Sequence, residues 1–330
     1  MKAPTIEAYV SRMLQQHLVD APSTTSWSCE GSAALVDIVG FTQLSERLAR
    51  RGREGAEQIT EAIGKSFESI LGVAYENGGS LLKFGGDAML LWFAGDGHAA
   101  RACRAAVRMR HVLRAVGRIE VPGARTSLRM SQAVHSGQFH FFAVGTSHVE
   151  LLPVGPAWSR LVVLQREAAS GQILISPESA AVVSSYCMGE PKGTGIVLRR
   201  APGGGKKYPL VPRPKIPLDA LARCLSPAVR DHVLVGGGIS EHRVVTIAFI
   251  RFDGTDAQIE QHGPEATAKS LHHLLSVVAV AAEEHQVTIL ASDVDADGGK
   301  FILTTGAPRI IGDDEERMLL ALRRIVGAER

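Results

Sequence analysis

The order of apolar runs and chain breakers predicts an α/β protein: a mixed sheet with helices packed on its faces, present as one complete copy and one partial second copy. Three observations predict it. Strand-like and helix-like runs follow one another as strand, helix, hairpin, helix, strand, the order that layers helices on a sheet. The same pattern begins again after residue 240, an internal repeat of domain size. Hydrophobic residues make up 45% and charged residues 21% of 330 residues, globular values in a chain long enough for two domains and a sizeable core.

Each element has its own reason. Ile6, Val10, Met13, Leu14 and Leu18 recur at helical spacing and predict an amphipathic helix over 5–19. The polar stretch 21–30 follows, then the apolar run 33–39, read as a buried strand. Ile59, Ile63, Phe67, Ile70 and Ala74 mark one helical face, which Asn77-Gly78-Gly79 ends because these residues tolerate positive φ. Residues 80–84 and 88–93 read as strands joined through Gly85-Gly86-Asp87. A helix over 97–113 comes next, then a hairpin of 126–135 and 138–144 around Ser136-Gly137, and a strand at 172–176. Residues 199–217 are dense in Pro, Gly and basic residues and read as a linker; GGGKK lacks the spacer and hydroxyl of a phosphate loop. In the second copy, strands are expected at 244–251, 287–291 and 300–305, with helices at 267–285 and 315–326. The domain reading is therefore an N-terminal helical segment 1–30, a first domain 31–198, a linker 199–240 and a partial second domain 241–330. The second copy stops where the first begins its second hairpin, as in a fragment of a longer protein or a degenerate half.

A formal charge of +2 with no basic block gives no electrostatic footprint for nucleic acid or an anionic membrane. Cys29, Cys103, Cys187 and Cys224 are far apart, without CxxC or zinc spacing, which excludes a disulfide scaffold and a structural zinc site and suits a reducing cytosol. The N-terminus lacks the apolar core of a signal peptide, and no run is long enough to span a bilayer. A cytoplasmic protein is expected.

Two carboxylates stand out. Asp37 ends a buried strand and Asp87 sits at the tip of a Gly-Gly hairpin, so neighbouring strands would bring both to one end of a sheet. Magnesium needs one or two carboxylates plus substrate phosphate oxygens and water, so the pair suffices for a two-metal site. Gly85 and Gly86 let backbone approach phosphates, and amides at Phe41 and Thr42 would face a triphosphate as a helix N-terminus does. On spacing alone, two aspartates at strand ends are more often turn formers or caps than metal ligands.

The local sequences VDIVGFTQLSERL and LLKFGGDAMLLWF together resemble the class III adenylyl/guanylyl cyclase catalytic domain, and GQFHFFAVG matches a further hairpin of that family. The resemblance covers Ala33 to about Ser176, and the tandem copy extends it through about Val326. It is similar above all to the bicarbonate-responsive soluble adenylyl cyclase type, in which unequal C1 and C2 halves follow each other. FGGDA also looks like the GGDEF motif of diguanylate cyclases, but Ala88 replaces the acidic residue required there. The resemblance implies a cyclase-type α/β sandwich with a mixed, ferredoxin-like sheet, and conversion of ATP to cyclic AMP and pyrophosphate. It implies that Asp37 and Asp87, assisted by the Ile38 carbonyl, hold two Mg2+ or Mn2+ ions. Lys83 matches a position that selects the base in symmetrical members and contacts bicarbonate in soluble-type C1 halves; its bland alternative is a solvated strand-edge lysine.

The chain also departs from the family. Where a segment like GxxVNxAAR supplies an asparagine and an arginine, residues 155–163 place Ser159 and Val163, and Leu152 stands at the base-reading position. A C1-type half lends metals and borrows these groups from a C2-like half or a second chain, in a portion expected beyond Arg330. In the second copy Arg251 is aligned with Asp37, and Ala291 with the base-binding lysine. Val162 falls at the bicarbonate arginine, with Arg160 and Arg166 nearby, so bicarbonate has little support. A silent cyclase-homology module that binds nucleotide or metal without turnover is the alternative function. The run Asp293-Val294-Asp295-Ala296-Asp297-Gly298 opens like a calcium loop, yet Thr304 replaces the twelfth-position glutamate, and an acid-blunted hairpin tip fits better. His135, His140 and His148 cluster without metal-ligand spacing, and no hydrolase motif is present.

Overall fold

The computed structural model describes residues 6–41, 44, 53–121, 124–204, 208, 212–236 and 243–328. In chain order the elements are α1 (Arg12–Asp20), β1 (Ser26–Val39), α2 (Arg53–Glu76), β2 (Gly79–Gly85), β3 (Ala88–Ala94), α3 (His98–Val116), β4 (Arg118–Val121), β5 (Ala124–Ser127), β6 (Arg129–Val144), β7 (Glu150–Pro153), α4 (Pro156–Glu167), β8 (Ile173–Ile175), α5 (Pro177–Ala180), β9 (Met188–Lys192) and β10 (Gly195–Leu198). There follow α6 (Leu218–Ala222), α7 (Pro227–Leu234), β11 (Thr246–Asp253), α8 (Thr255–Glu284), β12 (Thr288–Asp295), β13 (Gly298–Thr305) and α9 (Asp314–Ala328). The chain forms two compact units, one of Cys29–Phe139 and Arg160–Pro212, the other of Met1–Ser28, His140–Ser159 and Arg213–Arg330.

The first of these units is a mixed sheet in the order β2-β3-β1-β6-β8-β10-β9. β1 pairs antiparallel with β3, and β6 runs parallel to β8. Strand alternation sorts β1 cleanly. Ala34, Val36 and Ile38 join Met89, Leu91 and Phe93 of β3 in a core closed by Ile70, Val73 and Ala74 of α2 and Ala102, Ala106 and Met109 of α3. Ala33, Leu35 and Asp37 therefore lie on the sheet's other face. Phe67, Ile70 and Ala74 of the predicted α2 stripe pack at this core, the Ile59 side chain lies outside the described residues, and the helix ends where Gly78 takes φ +73°.

In the other unit β11, β13 and β12 form a three-stranded sheet in that order. Ile289, Phe301 and Leu303 pack with Leu271, Leu275 and Val278 of α8 and Met318, Ala321 and Ile325 of α9. Phe142, Val144, Leu152 and Val154 belong to the same core. The helix expected over 267–285 is the distal part of α8, which bends at Gly263-Pro264, where Gly263 has φ 79°.

Three expectations need correction. The hairpin expected around Ser136-Gly137 is absent: β6 passes straight through both residues as one 16-residue strand. Ser136 is tied on both sides, its hydroxyl 2.7 Å from those of Ser32 and Ser179, which holds the backbone extended where a turn was expected. The hairpin partner of the distal part of β6 is β7, with Phe141 opposite Pro153 and Val144 opposite Glu150. The N-terminal helix expected over 5–19 is broken, with a short 3-10 turn at Ile6–Ala8 and α1 starting after the Ser11 cap. Strands β9 and β10 lie in the sheet just before the linker, in a segment whose Gly, Pro and Lys content hid them. No helix is long and apolar enough to cross a membrane among the described residues. None of the four cysteines is in a disulfide.

Candidate functional site

β1 and β3 place Asp37 opposite Ala88, the last ladder position before the tip of the β2–β3 hairpin. Gly85 faces Ala88 across that hairpin, leaving a two-residue loop of Gly86 and Asp87. Gly86 takes φ +68°, which an L side chain resists, so glycine is needed there for the turn itself. The Ile38 amide donates to the Asp87 carbonyl at 3.2 Å and latches the tip onto the end of β1. The Ile38 side chain is buried in the core.

The Asp37 carboxyl feels the charge of Asp87. Burial pushes the Asp37 carboxyl above its ordinary value, the Asp87 charge pushes it further, and the Ser131 hydroxyl opposes both. That hydroxyl, on β6, is 3.4 Å from Asp37 Oδ2 and accepts from Gln165 Nε2 of α4 at 3.1 Å. Ser131 was not legible as a site residue, since nothing in the sequence says which residue of a later strand lies beside Asp37. Lys83 lies opposite Leu90, and Leu90 opposite Leu35, so Lys83 stands on the same face as Asp37, one row further along. Phe41 packs against the core beneath, leaving its backbone as the part able to face a ligand. Thr42 lies outside the described residues.

The donor set fits a hard divalent cation. Two carboxylates at a sheet end reached by hairpin backbone suit Mg2+ or Mn2+ once substrate oxygens and water complete the shell. No cluster of three or more His, Cys, Asp or Glu suited to a metal occurs among the described residues.

The repeat carries a second such pair in another register. In β11 and β13, Asp253 faces Gly298, and Asp295 faces Gly298 across the β12–β13 hairpin, leaving a loop of Ala296 and Asp297. By ladder position Asp253 matches Asp37 and Asp297 matches Asp87. Sequence alignment put Arg251 at the first of these places, two residues early. That shift preserves the face of the strand and is invisible to apolar patterning. Arg251 instead lies 3.6 Å from Asp295, and Lys300 lies 2.9 Å from Asp293. Those cross-strand pairs and the tight turn make 293–298 a hairpin, as its sequence suggested. Ser159, at the family's asparagine position, accepts the Asp297 amide at 2.7 Å. Leu152 is buried, Val163 is partly exposed, and Arg160 donates to Glu178 at 3.3 Å.

No family model and no curated protein sequence matches the chain. Among solved structures, it is similar to the guanylyl cyclase Cya2 at 22% identity over 57% of this chain and 98% of the other, with a TM-score of 0.45. It is similar to the adenylyl cyclase CyaB from P. aeruginosa at 21% identity, over 55% of this chain and all of the other, TM-score 0.45. A bacterial light-regulated adenylyl cyclase aligns at 15% identity over 60% of each chain, TM-score 0.48.

Proposed function

We propose that the first copy carries a class III-type nucleotidyl cyclase site that takes ATP and forms cyclic AMP and pyrophosphate. One observation supports this above the others: Asp37 and Asp87, the residues the family motifs single out, stand at one sheet end, where burial and the Asp87 charge raise the cost of ionising Asp37. Asp37 and Asp87, with the Ile38 carbonyl, would hold two Mg2+ or Mn2+ ions, which supply activation of the ribose 3′-hydroxyl and neutralisation of the triphosphate. Gly85 and Gly86 would bring hairpin backbone to the phosphates without a Cβ in the way, and the Phe41 backbone amide would face them. Lys83, on the Asp37 face, would make the base or regulatory contact. Ser131 orients Asp37 through its hydroxyl. The asparagine and arginine that stabilise transition-state charge in this family are not offered by Ser159 and Val163. Turnover therefore needs a second chain or a further segment, and such groups contribute several kcal/mol where they act.

That shortfall supports a second reading, a silent module that binds metal and nucleotide without turnover, because the Ser159 hydroxyl is already engaged by Asp297. The test measures cyclic AMP formation from ATP with manganese, together with metal-dependent ATP binding, on this chain and on Asp37→Ala. Product that falls by roughly a hundredfold or more in the variant supports the cyclase. Binding lost in the variant, with no product from either protein, supports the silent module. Absence of metal-dependent binding overturns both.

A further inference from the structure

A cavity of about 400 Å³ opens in the Cys29–Phe139 and Arg160–Pro212 unit at the C-terminal end of α3. Its walls include Arg110 and Arg114 of α3, Arg118 of β4 and Arg129 of β6, with Ser127 and Ser170 between them. Among the described residues no acidic side chain lines it. Among the described residues no ion pair neutralises any of the four guanidiniums.

Four like charges around one hollow repel each other, and the fold shows that cost. Burial lowers the Arg110 pKa and the neighbouring Arg114 charge lowers it further. Arg110 Nε is shut off from solvent without an acceptor, while another of its amino groups donates to the Arg199 carbonyl at 2.9 Å. A buried guanidinium donor left unpaired is costly, and a surface arginine is free to turn away to water. A fifth cation approaches from behind: Gln172, also in the wall, accepts from Lys192 Nζ at 2.6 Å. In a chain whose net charge is only +2, this is a local concentration of positive charge rather than a reflection of composition.

We propose that this arginine-lined cavity is a binding site for a small polyphosphate anion. The guanidinium fork matches phosphate and carboxylate oxygens bidentately, so geometry alone admits both. Four guanidiniums call for a ligand with several charges on a compact body, which pyrophosphate and inorganic triphosphate are. The concave shape and modest volume suit a small molecule. The site stands independently of the aspartate pair, because none of its walls is Asp37 or Asp87.

The test is calorimetric titration of the whole chain with sodium pyrophosphate in EDTA at about 0.1 M ionic strength, where exposed charges beyond about 10 Å are screened. EDTA removes any metal-bridged binding at the aspartates. Saturable binding is expected, tighter for triphosphate and weaker for orthophosphate. Arg114→Glu and Arg118→Glu, both at exposed positions, are each expected to weaken pyrophosphate by roughly tenfold or more, from one reversed charge at short range. Asp37→Asn is expected to leave the affinity unchanged. Thermal melts of each variant verify that it is folded. Absence of saturable binding by the parent overturns the proposal, as does equal affinity in parent and both arginine variants. Citrate binding as tightly as pyrophosphate overturns the phosphate assignment, and loss of pyrophosphate binding in Asp37→Asn relocates it to the aspartates.

Discussion

The two hairpin ends of the molecule share a backbone plan and differ in what their aspartates do. Both tips are two-residue loops with aspartate second, Asp87 in one and Asp297 in the other, and both ladders end on an aspartate of the neighbouring strand, Asp37 or Asp253. At the second tip the carboxylate is occupied: Asp297 Oδ1 accepts the Asp256 amide at 3.0 Å and caps α8, whose own cap residue, Gly254, has no side chain to do so. The acids beside it are matched by Arg251 and Lys300. At the first tip no ion pair joins Asp37 or Asp87 to a described basic side chain, and Asp37 has only a long hydrogen bond from Ser131. Identical geometry thus serves architecture in one copy and leaves negative charge unspent in the other. A duplicated pair of carboxylates does not imply a duplicated site; the neighbours decide.

The copies also differ in what lies beyond the first strand. β1 is flanked by β6, whereas β11 is an edge strand among the described residues. β6 brings in His135, buried and 3.6 Å from Glu178, with a pKa depressed to about 4 because burial outweighs the Glu178 charge. A histidine depressed in the folded state favours the neutral form. Its contribution is complete above the unfolded value near 6.5 and is lost as pH falls from there through about 4. The full effect is about 3 kcal/mol at most. Urea midpoints at pH 7.5 and 4.5 should differ strongly in the parent and much less in His135→Gln. Hydrogen exchange should show β1 and β6 opening first in acid while β11–β13 stay protected. Equal acid sensitivity in both variants and both sheets would erase this contrast.

Much of this was legible beforehand, and the reasons are physical. The α2 stripe ends at a Gly-Gly stop, and Gly85-Gly86-Asp87 can hardly be anything but a tight turn, so the first copy's helix and hairpin follow from local chemistry. That Asp37 and Asp87 stand at the ends of such elements follows the same way, whereas a ligand role for them rests on the family resemblance. Ser136-Gly137 misled because a serine-glycine pair turns only if nothing holds it, and the Ser32 and Ser179 hydroxyls that hold it lie far away in sequence. Asp253 was missed because a two-residue slip keeps every side chain on its face. Ser131 and the arginine cavity belong to no motif; they exist only where the folded strands and the end of α3 meet.

The next effect tests the capping role. Asp297→Ala removes the acceptor of the Asp256 amide and should cost about 1 kcal/mol, the usual value of a helix cap. Asp87→Ala removes a carboxylate with no such duty and should cost less. Urea midpoints of the two variants at pH 7 compare them directly, and a larger loss for Asp87→Ala would reverse the roles assigned to the two tips.

The smallest effect isolates the unspent charge. The Asp37 carboxyl is raised in the fold by burial and by Asp87, so the folded state binds its proton more tightly than the unfolded state does. The sign follows: folding stability falls as pH rises through the window above 3.8, and the ionised group is a liability at neutral pH. Asp37→Asn removes that liability. In EDTA at pH 7 the variant should be more stable, by about 0.5 kcal/mol once solvent screening of a half-buried group is allowed for, or roughly 1–2 °C in Tm. Manganese should reverse the order, because a cation that binds only the folded parent stabilises it by mass action and has less to bind in the variant. Asp253→Asn should produce neither change, since Asp253 is exposed and its hairpin partner is committed to a helix cap. A gain in EDTA that manganese does not overturn would mean that the repulsion at the first tip is real and that it serves no cation.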